Sequence, residues 1–205
     1  MARRGSVLVI SKDMLFRDVG GYFQGFKNLD PSILNVLESN SIWMDEDEAE
    51  KNPDFKELIA YCLLFTRDKK LFTYRRSKKD EAYPEKRLQG KWSIGVGGHI
   101  EPTDHSGTGL ILTSLLREIP EEIRMNGRIK SIELLGGIND DLDSVGKDHF
   151  GLLMKVFTTS HSISPDGQEI TTGYSMNPEE IRNLFQQEKN NVENWTQICF
   201  PHISC

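Results

Sequence analysis

The sequence predicts an α/β (α+β) fold, a mixed β-sheet with helices on its faces. Three observations carry that prediction. From residue 57 onward the segments read strand, strand, strand, helix, strand, strand, strand, helix, an order that places helices against a sheet. The length, 205 residues, suits one large domain or a domain with an extension. Hydrophobic residues at 37% and charged residues at 27% are ordinary for a soluble globular chain. Residues 1–56 read as an N-terminal extension packed on or beside a core formed by residues 57–205, the whole forming a single globular unit.

Element by element, Val7–Ile10 is strand-like and Gly20-Gly21 a turn. Asp30-Pro31-Ser32 predicts a helix start, because Asp is a good N-cap and Pro suits the first helical position. The acidic run Asp45–Glu50 predicts a solvated face or loop. Leu58–Thr66 and Leu71–Tyr74, apolar and separated by the polar Arg67-Asp68-Lys69-Lys70, predict a hairpin. Residues 75–90 carry Arg75, Arg76, Lys78, Lys79, Lys86 and Arg87, which predicts an exposed basic loop. Trp92–Val96 is a short strand running into Gly97-Gly98. Leu112, Leu115, Leu116, Ile119 and Ile123 recur at helical spacing. Ile129–Ile138 and Phe150–Thr158 read as strands joined by an acidic loop, and Glu169–Met176 as a further strand. Asn177-Pro178-Glu179-Glu180 has the form of a capping box that opens a helix to about Gln187, with a second short helix over Val192–Cys199.

Charge and cysteine content bound the function. Lys and Arg total 25 against 31 Asp and Glu, a net charge of −6. General nucleic-acid binding needs a basic face that neutralises phosphates, so that class is disfavoured. No apolar run approaches the ~20 residues of a membrane helix, and Val7–Ile10 is too short for a signal-peptide core. Cys62, Cys199 and Cys205 are odd in number and lack a paired metal-ligand spacing, which predicts a reduced, cytoplasmic setting with no disulfide framework and no structural zinc.

The chemistry concentrates in Gly97-Gly98-His99-Ile100-Glu101 and Arg117-Glu118-Ile119-Pro120-Glu121-Glu122-Ile123. On a helix, Glu118 and Glu122 lie about 40° apart, and Glu121 flanks Glu118 by about 60° on the other side. Three carboxylates then converge on one point, with Leu115, Leu116, Ile119 and Ile123 left to anchor the helix. Such convergence costs an isolated helix a few tenths of a kcal/mol, and a divalent cation converts the cost into binding. Oxygen-only donors favour Mg²⁺ or Mn²⁺. The spacing by itself also fits a solvated acidic face.

Together these residues resemble the Nudix box, G-x5-E-x7-R-E-U-x-E-E-x-G-U with U apolar. Gly98 matches its first Gly, and Arg117, Glu118, Ile119, Glu121, Glu122 and Met125 match its second half. Roughly residues 57–187 share the wider resemblance, which implies a Nudix-like α/β/α sandwich. It also implies Glu118, Glu121, Glu122 and the Gly97 carbonyl as metal ligands and Arg117 as their orienting partner. Glu121, Glu122 and Arg117 then form the catalytic set. Arg75, Arg76 and His99 are candidates for substrate phosphate.

Three departures stand out. Asp104 takes the place of the box Glu, and 12 residues rather than 7 separate it from Arg117. A longer loop costs little to close and need not move the helix. Pro120 stands inside the ligand set, where a proline removes a helical hydrogen bond and is expected to kink or re-form the helix. Arg124 replaces the box Gly. The water-activating base stays open among Glu121, Glu101, Asp140, Asp141, Asp143, Asp148 and Glu169.

The resemblance implies a Mg²⁺- or Mn²⁺-dependent hydrolase that cleaves a diphosphate linkage by water attack on phosphorus. Nucleoside diphosphate derivatives are its expected small-molecule substrates. Pro120 and the long loop motivate an alternative, a Nudix-like sensor that binds a nucleotide without cleaving it. An isopentenyl diphosphate isomerase needs a catalytic Cys in a T-x-C-C-x-H context, which Tyr61-Cys62-Leu63 does not match. Residues 1–56 could cover the sheet, shape the pocket or form a homodimer contact.

Overall fold

Alternation of short polar turns with buried apolar runs sets the order of elements. The computed structural model describes residues 5–77, 86–104, 109–166 and 170–203. Strand β1 (Ser6–Ser11) leads into α1 (Lys12–Asp18), capped by the Ser11 hydroxyl, which accepts from Met14 N at 3.4 Å. There follow β2 (Gly25–Asn28), α2 (Ile33–Asn40), β3 (Ile42–Asp45) and α3 (Glu46–Ala49). Next come β4 (Phe55–Phe65), β5 (Leu71–Arg76), β6 (Trp92–Ser93) and β7 (Gly95–His99), and then α4 (Leu110–Glu122). The chain continues through β8 (Ile123–Met125), β9 (Ile129–Asn139), β10 (His149–Thr158), β11 (Ile163–Pro165) and β12 (Ile170–Met176) to α5 (Pro178–Gln187) and α6 (Asn194–Cys199). Strand pairing follows the order β12-β5-β4-β10-β9-β2, with β1 joined to β3 and β4, β6 to β5, and β7 to β4. Strands β8 and β11 form a separate antiparallel pair.

Two compact units emerge. The first comprises Met1–Tyr61, Gly97–Arg117 and Leu134–Met154; the second comprises Cys62–Val96, Glu118–Glu133 and Lys155–Cys205. In the first, β1 pairs antiparallel with β3 (Val7 opposite Met44) and with β4 (Val9 opposite Glu57), and β2 pairs with β9 (Phe26 opposite Ile138). Its core holds Leu8, Ile10, Leu15, Leu37, Leu58, Ile111, Leu115, Ile138 and Phe150, all buried. In the second, β12 pairs with β5 and β5 with β6, over a core of Leu63, Leu64, Phe72, Tyr74, Ile94, Val96, Ile119, Val156 and Ile181. The Tyr74 hydroxyl, buried in that core, donates to Gly95 O at 2.7 Å, so its polar end is satisfied.

Several local expectations are met and several are corrected. The capping box is complete: Asn177 accepts from Glu179 N and Glu180 N, and the Glu180 carboxylate accepts from Asn177 N at 2.7 Å. Asp30 does not cap α2. It makes a local turn, accepting from Ser32 N and the Ser32 hydroxyl, and the helix begins at Ile33. The acidic run is not a loop throughout, because Asp45 accepts from Asp47 N and caps α3, whose Ala49 is buried against Val7 and Val9. Lys78 and Lys79 of the basic loop, and Glu169, lie outside the described residues, and β12 begins at Ile170.

Strand β4 starts earlier than its apolar run and buries Lys56 and Glu57, at 0% and 1% exposure. A lysine buried that deeply must be paired and hydrogen-bonded. Its Nζ lies 2.7 Å from Asp141 Oδ1 and donates to Gly146 O at 2.9 Å and His149 O at 3.2 Å. Desolvation pulls the ammonium below the ordinary lysine pKa, although Asp141 works against it. Partial burial disfavours the ionised Asp141 carboxyl, but hydrogen bonds from Lys56, Tyr22 and Asn139 outweigh it and the net shift is downward. A lowered folded-state value means that Asp141 stabilises the protein above its ordinary pKa and that this contribution fades as pH falls below it. Lys56→Ala leaves Asp141 and two carbonyls without their donor. We expect a loss of about 3 kcal/mol in urea unfolding at neutral pH, and a variant as stable as the parent contradicts this role.

Candidate active site

Helix α4 presents the glutamates. Ile111, Leu115 and Ile119 recur every four residues and are buried, anchoring one stripe. Leu116, expected beside them, is 44% exposed. It stands about 100° round the helix from Leu115 and falls off the edge of the stripe. At the start of the helix, Ile111 N donates to Glu38 Oε1 at 3.0 Å, so a side chain from α2 serves one of the orphan amides. Gly109 sits there at φ +96°, with that same carboxylate 3.0 Å from where a Cβ would stand.

Pro120, expected to kink or re-form the helix, lies inside α4, which runs through it and ends two residues later at Glu122. The proline is exposed, and the carbonyl whose bond it forfeits belongs to the exposed Leu116 turn, where water can replace the lost donor. Beyond Glu122 the chain enters β8 directly, and Glu122 O accepts from Asp166 N at 2.9 Å. Arg124, in place of a turn glycine, pairs with Asp166 at 2.7 Å on the surface.

Arg117 closes a compact arrangement around Asp104. Its Nε donates to Asp104 Oδ1 at 2.9 Å and its Nη2 to Asp104 Oδ2 at 3.2 Å, while Nη2 also reaches His99 O at 3.0 Å. Asp104 is 1% exposed and additionally accepts from Glu101 N at 2.8 Å. The aspartate standing where the box has glutamate thus receives a bidentate bond from the box arginine. Ser114 adds a bond to His99 O at 3.1 Å.

Of the three helix glutamates, Glu118 is half-buried, Glu121 exposed and Glu122 buried. The Glu122 charge, together with complete burial, pushes the Cys62 thiol well above its ordinary pKa, desolvation being the larger cause. Gly97 has φ +153°, and a Cβ there would meet Ala60 O at 1.8 Å, so only glycine fits.

The basic candidates differ in their surroundings. Arg76 is buried and its Nε is bonded to the Glu193 carboxylate. Arg75 is half-buried; its Nε donates to Gly90 O at 2.9 Å, and its guanidinium lies 5.8 Å from the Trp92 ring centre. His99 meets Glu57 and His149: its Nε2 is 2.8 Å from Glu57 Oε2 and 3.2 Å from His149 Nε2. Among the described residues, these three are the His, Cys, Asp or Glu side chains whose donor atoms gather within 4.8 Å. Glu57 was not a candidate from sequence. The one signal available was its place, beside Lys56, at the head of an apolar strand.

The assembled geometry has known counterparts. The crystal structure of Tm1382, described as a putative Nudix hydrolase, superposes with a TM-score of 0.75 over 97% of each chain at 22% identity. The fold expected from the box resemblance is therefore the fold found: this is a protein of the Nudix fold with a mixed sheet. No family model matches the chain. Protein YmaB of Bacillus subtilis is 30% identical over 199 residues, covering 94% of both chains, and the present chain belongs to the YmaB family.

Removing the Arg117 side chain strands a buried aspartate. Arg117→Ala is expected to cost about 3 kcal/mol in urea unfolding. Arg117→Lys, which keeps the charge but not the bidentate fork, is expected to recover only part of that loss. Full recovery by lysine would show that charge alone matters here.

Proposed function

We propose that the protein is a Mg²⁺- or Mn²⁺-dependent hydrolase that cleaves a diphosphate linkage in a nucleoside diphosphate derivative. The observation that carries this reading is the intact Arg117-Glu118-Ile119-x-Glu121-Glu122 run on the last turns of α4 in a chain of Nudix fold, despite Pro120. The donor chemistry fits the group: carboxylate oxygens graded from buried Glu122 to exposed Glu121 suit a hard, partly hydrated cation. Such a cation, when bound, neutralises diphosphate charge and makes water a better nucleophile.

In this reading Glu118 and Glu122 are held by the anchored helix, and Arg117 fixes the helix through Asp104. Glu121 is the carboxylate with room for the attacking water and takes its proton. Arg75, braced on Trp92, offers its cation to a substrate phosphate oxygen.

The test is hydrolysis of a panel of nucleoside diphosphate derivatives with Mn²⁺. Glu122→Gln, nearly isosteric, is expected to lower kcat at least a hundredfold while the protein stays folded. Binding without metal-dependent turnover in the parent protein would establish the sensor reading instead. Turnover unchanged in Glu122→Gln would remove the glutamates from the reaction.

A further inference from the structure

We infer that Glu57, His99 and His149 form a binding site for a divalent transition-metal ion of the zinc or ferrous-iron class, with ligands separate from the helix glutamates. All three residues belong to the first compact unit and stand on regular elements: Glu57 on β4, His99 at the end of β7 and His149 at the start of β10.

Glu57 gives the first reason. It is 1% exposed, and neither carboxylate oxygen has a hydrogen-bond partner, although His99 Nε2 comes within 2.8 Å of Oε2. A buried carboxylate without hydrogen bonds needs a cation. Lys56, the adjacent cation, is turned to Asp141, Gly146 O and His149 O.

The histidines give the second. His149 Nδ1 lies 2.7 Å from Val145 O, which assigns the proton to Nδ1 and the lone pair to Nε2. His99 Nε2 carries at most one proton, yet it faces two acceptors, Glu57 Oε2 at 2.8 Å and His149 Nε2 at 3.2 Å. One proton serves only one of them, and a metal ion satisfies all three atoms.

Distance gives the third. The three donor atoms are separated by 2.8, 3.2 and 3.8 Å, so the circle through them has a radius of about 1.9 Å. An ion at the ~2.0–2.2 Å typical of imidazole and carboxylate ligation then sits just off their plane. Two nitrogens and one oxygen select a borderline ion such as Zn²⁺ or Fe²⁺ over Mg²⁺. The His99 side chain is 33% exposed, so the group reaches solvent on that side. Its backbone is pinned, because His99 O accepts from both Arg117 and Ser114.

The experiment strips the full-length protein with chelator, exchanges the buffer, and titrates Zn²⁺ by calorimetry and Co²⁺ by visible absorbance. We expect one equivalent of Zn²⁺, and a Co²⁺ spectrum that Zn²⁺ displaces. His99→Gln, at a partly exposed position that tolerates the change, is expected to weaken Zn²⁺ binding at least tenfold and to alter the Co²⁺ bands. Glu57→Gln is expected to do the same. Glu118→Gln and Glu122→Gln are expected to leave the Zn²⁺ equivalent in place, so this inference and the hydrolase reading fail separately. An absent Zn²⁺ equivalent in the parent protein, or one unchanged in His99→Gln, overturns the inference.

Discussion

The arrangement depends on the bond between Arg117 and Asp104. A carboxylate at 1% exposure is unfavourable unless its lone pairs are filled, and here two guanidinium nitrogens and the Glu101 amide fill them. The same guanidinium reaches His99 O, so one side chain ties the turn at residues 101–104 and the end of β7 to a single point on α4. Planarity matters: Nε and Nη2 engage the two aspartate oxygens while Nη2 also donates to the His99 carbonyl, which a lysine ammonium on a flexible stem does less well. Asp104, in place of the box glutamate, keeps the contact with the arginine.

Much of the fold is written in local chemistry. The paired strands β9 and β10, the long helix α4 and the capped helix α5 all follow from periodicity and from Asn177 with Glu180, signals that lie within a few residues of the element they define. The elements not legible are the short ones. Strands β2, β3, β8 and β11 have three or four residues each, and their existence depends on partners distant in sequence: β2 on β9, β3 on β1, β8 on β11. Pairing of that kind is a tertiary decision, and a three-residue segment such as Ile123–Met125 carries too little pattern to announce it. Helix α3 was hidden for a different reason. Its acidic composition suggests solvent, and only Asp45 as cap and Ala49 as a buried contact disclose it.

The same distinction divides the candidate site. The helix that carries Arg117 and the glutamates is legible because its buried stripe recurs at helical spacing, but among the described residues the three glutamates are not a group whose donor atoms gather within 4.8 Å. The helix accommodates Pro120 because the cost falls on one carbonyl near the exposed end of the helix, where water is at hand. Glu57, His99 and His149 come from three segments separated by 42 and 50 positions, and no spacing rule connects them. The traces they leave are chemical mismatches, a charge at the head of a buried strand and a histidine at the end of an acidic loop. Each, taken singly, has an ordinary reading.

The two proposed donor sets differ in burial. In the proposed reading, a cation on the α4 carboxylates, which grade from buried Glu122 to exposed Glu121, would keep part of its water shell, as Mg²⁺ and Mn²⁺ require. Glu57 and His149 are both buried, and His149 is fixed in one tautomer by Val145 O. A site of that kind suits an ion whose bonds to nitrogen repay dehydration. The amide and carbonyl bonds that hold the second set, Glu57 N to Asp148 O at 2.8 Å and Lys56 Nζ to His149 O at 3.2 Å, are built into strands and their connecting loop. Lys56 and Glu57, adjacent on β4 and both buried, therefore split their tasks. The lysine closes the loop that delivers His149, and the glutamate carboxylate stands 2.8 Å from His99 Nε2 and 3.8 Å from His149 Nε2.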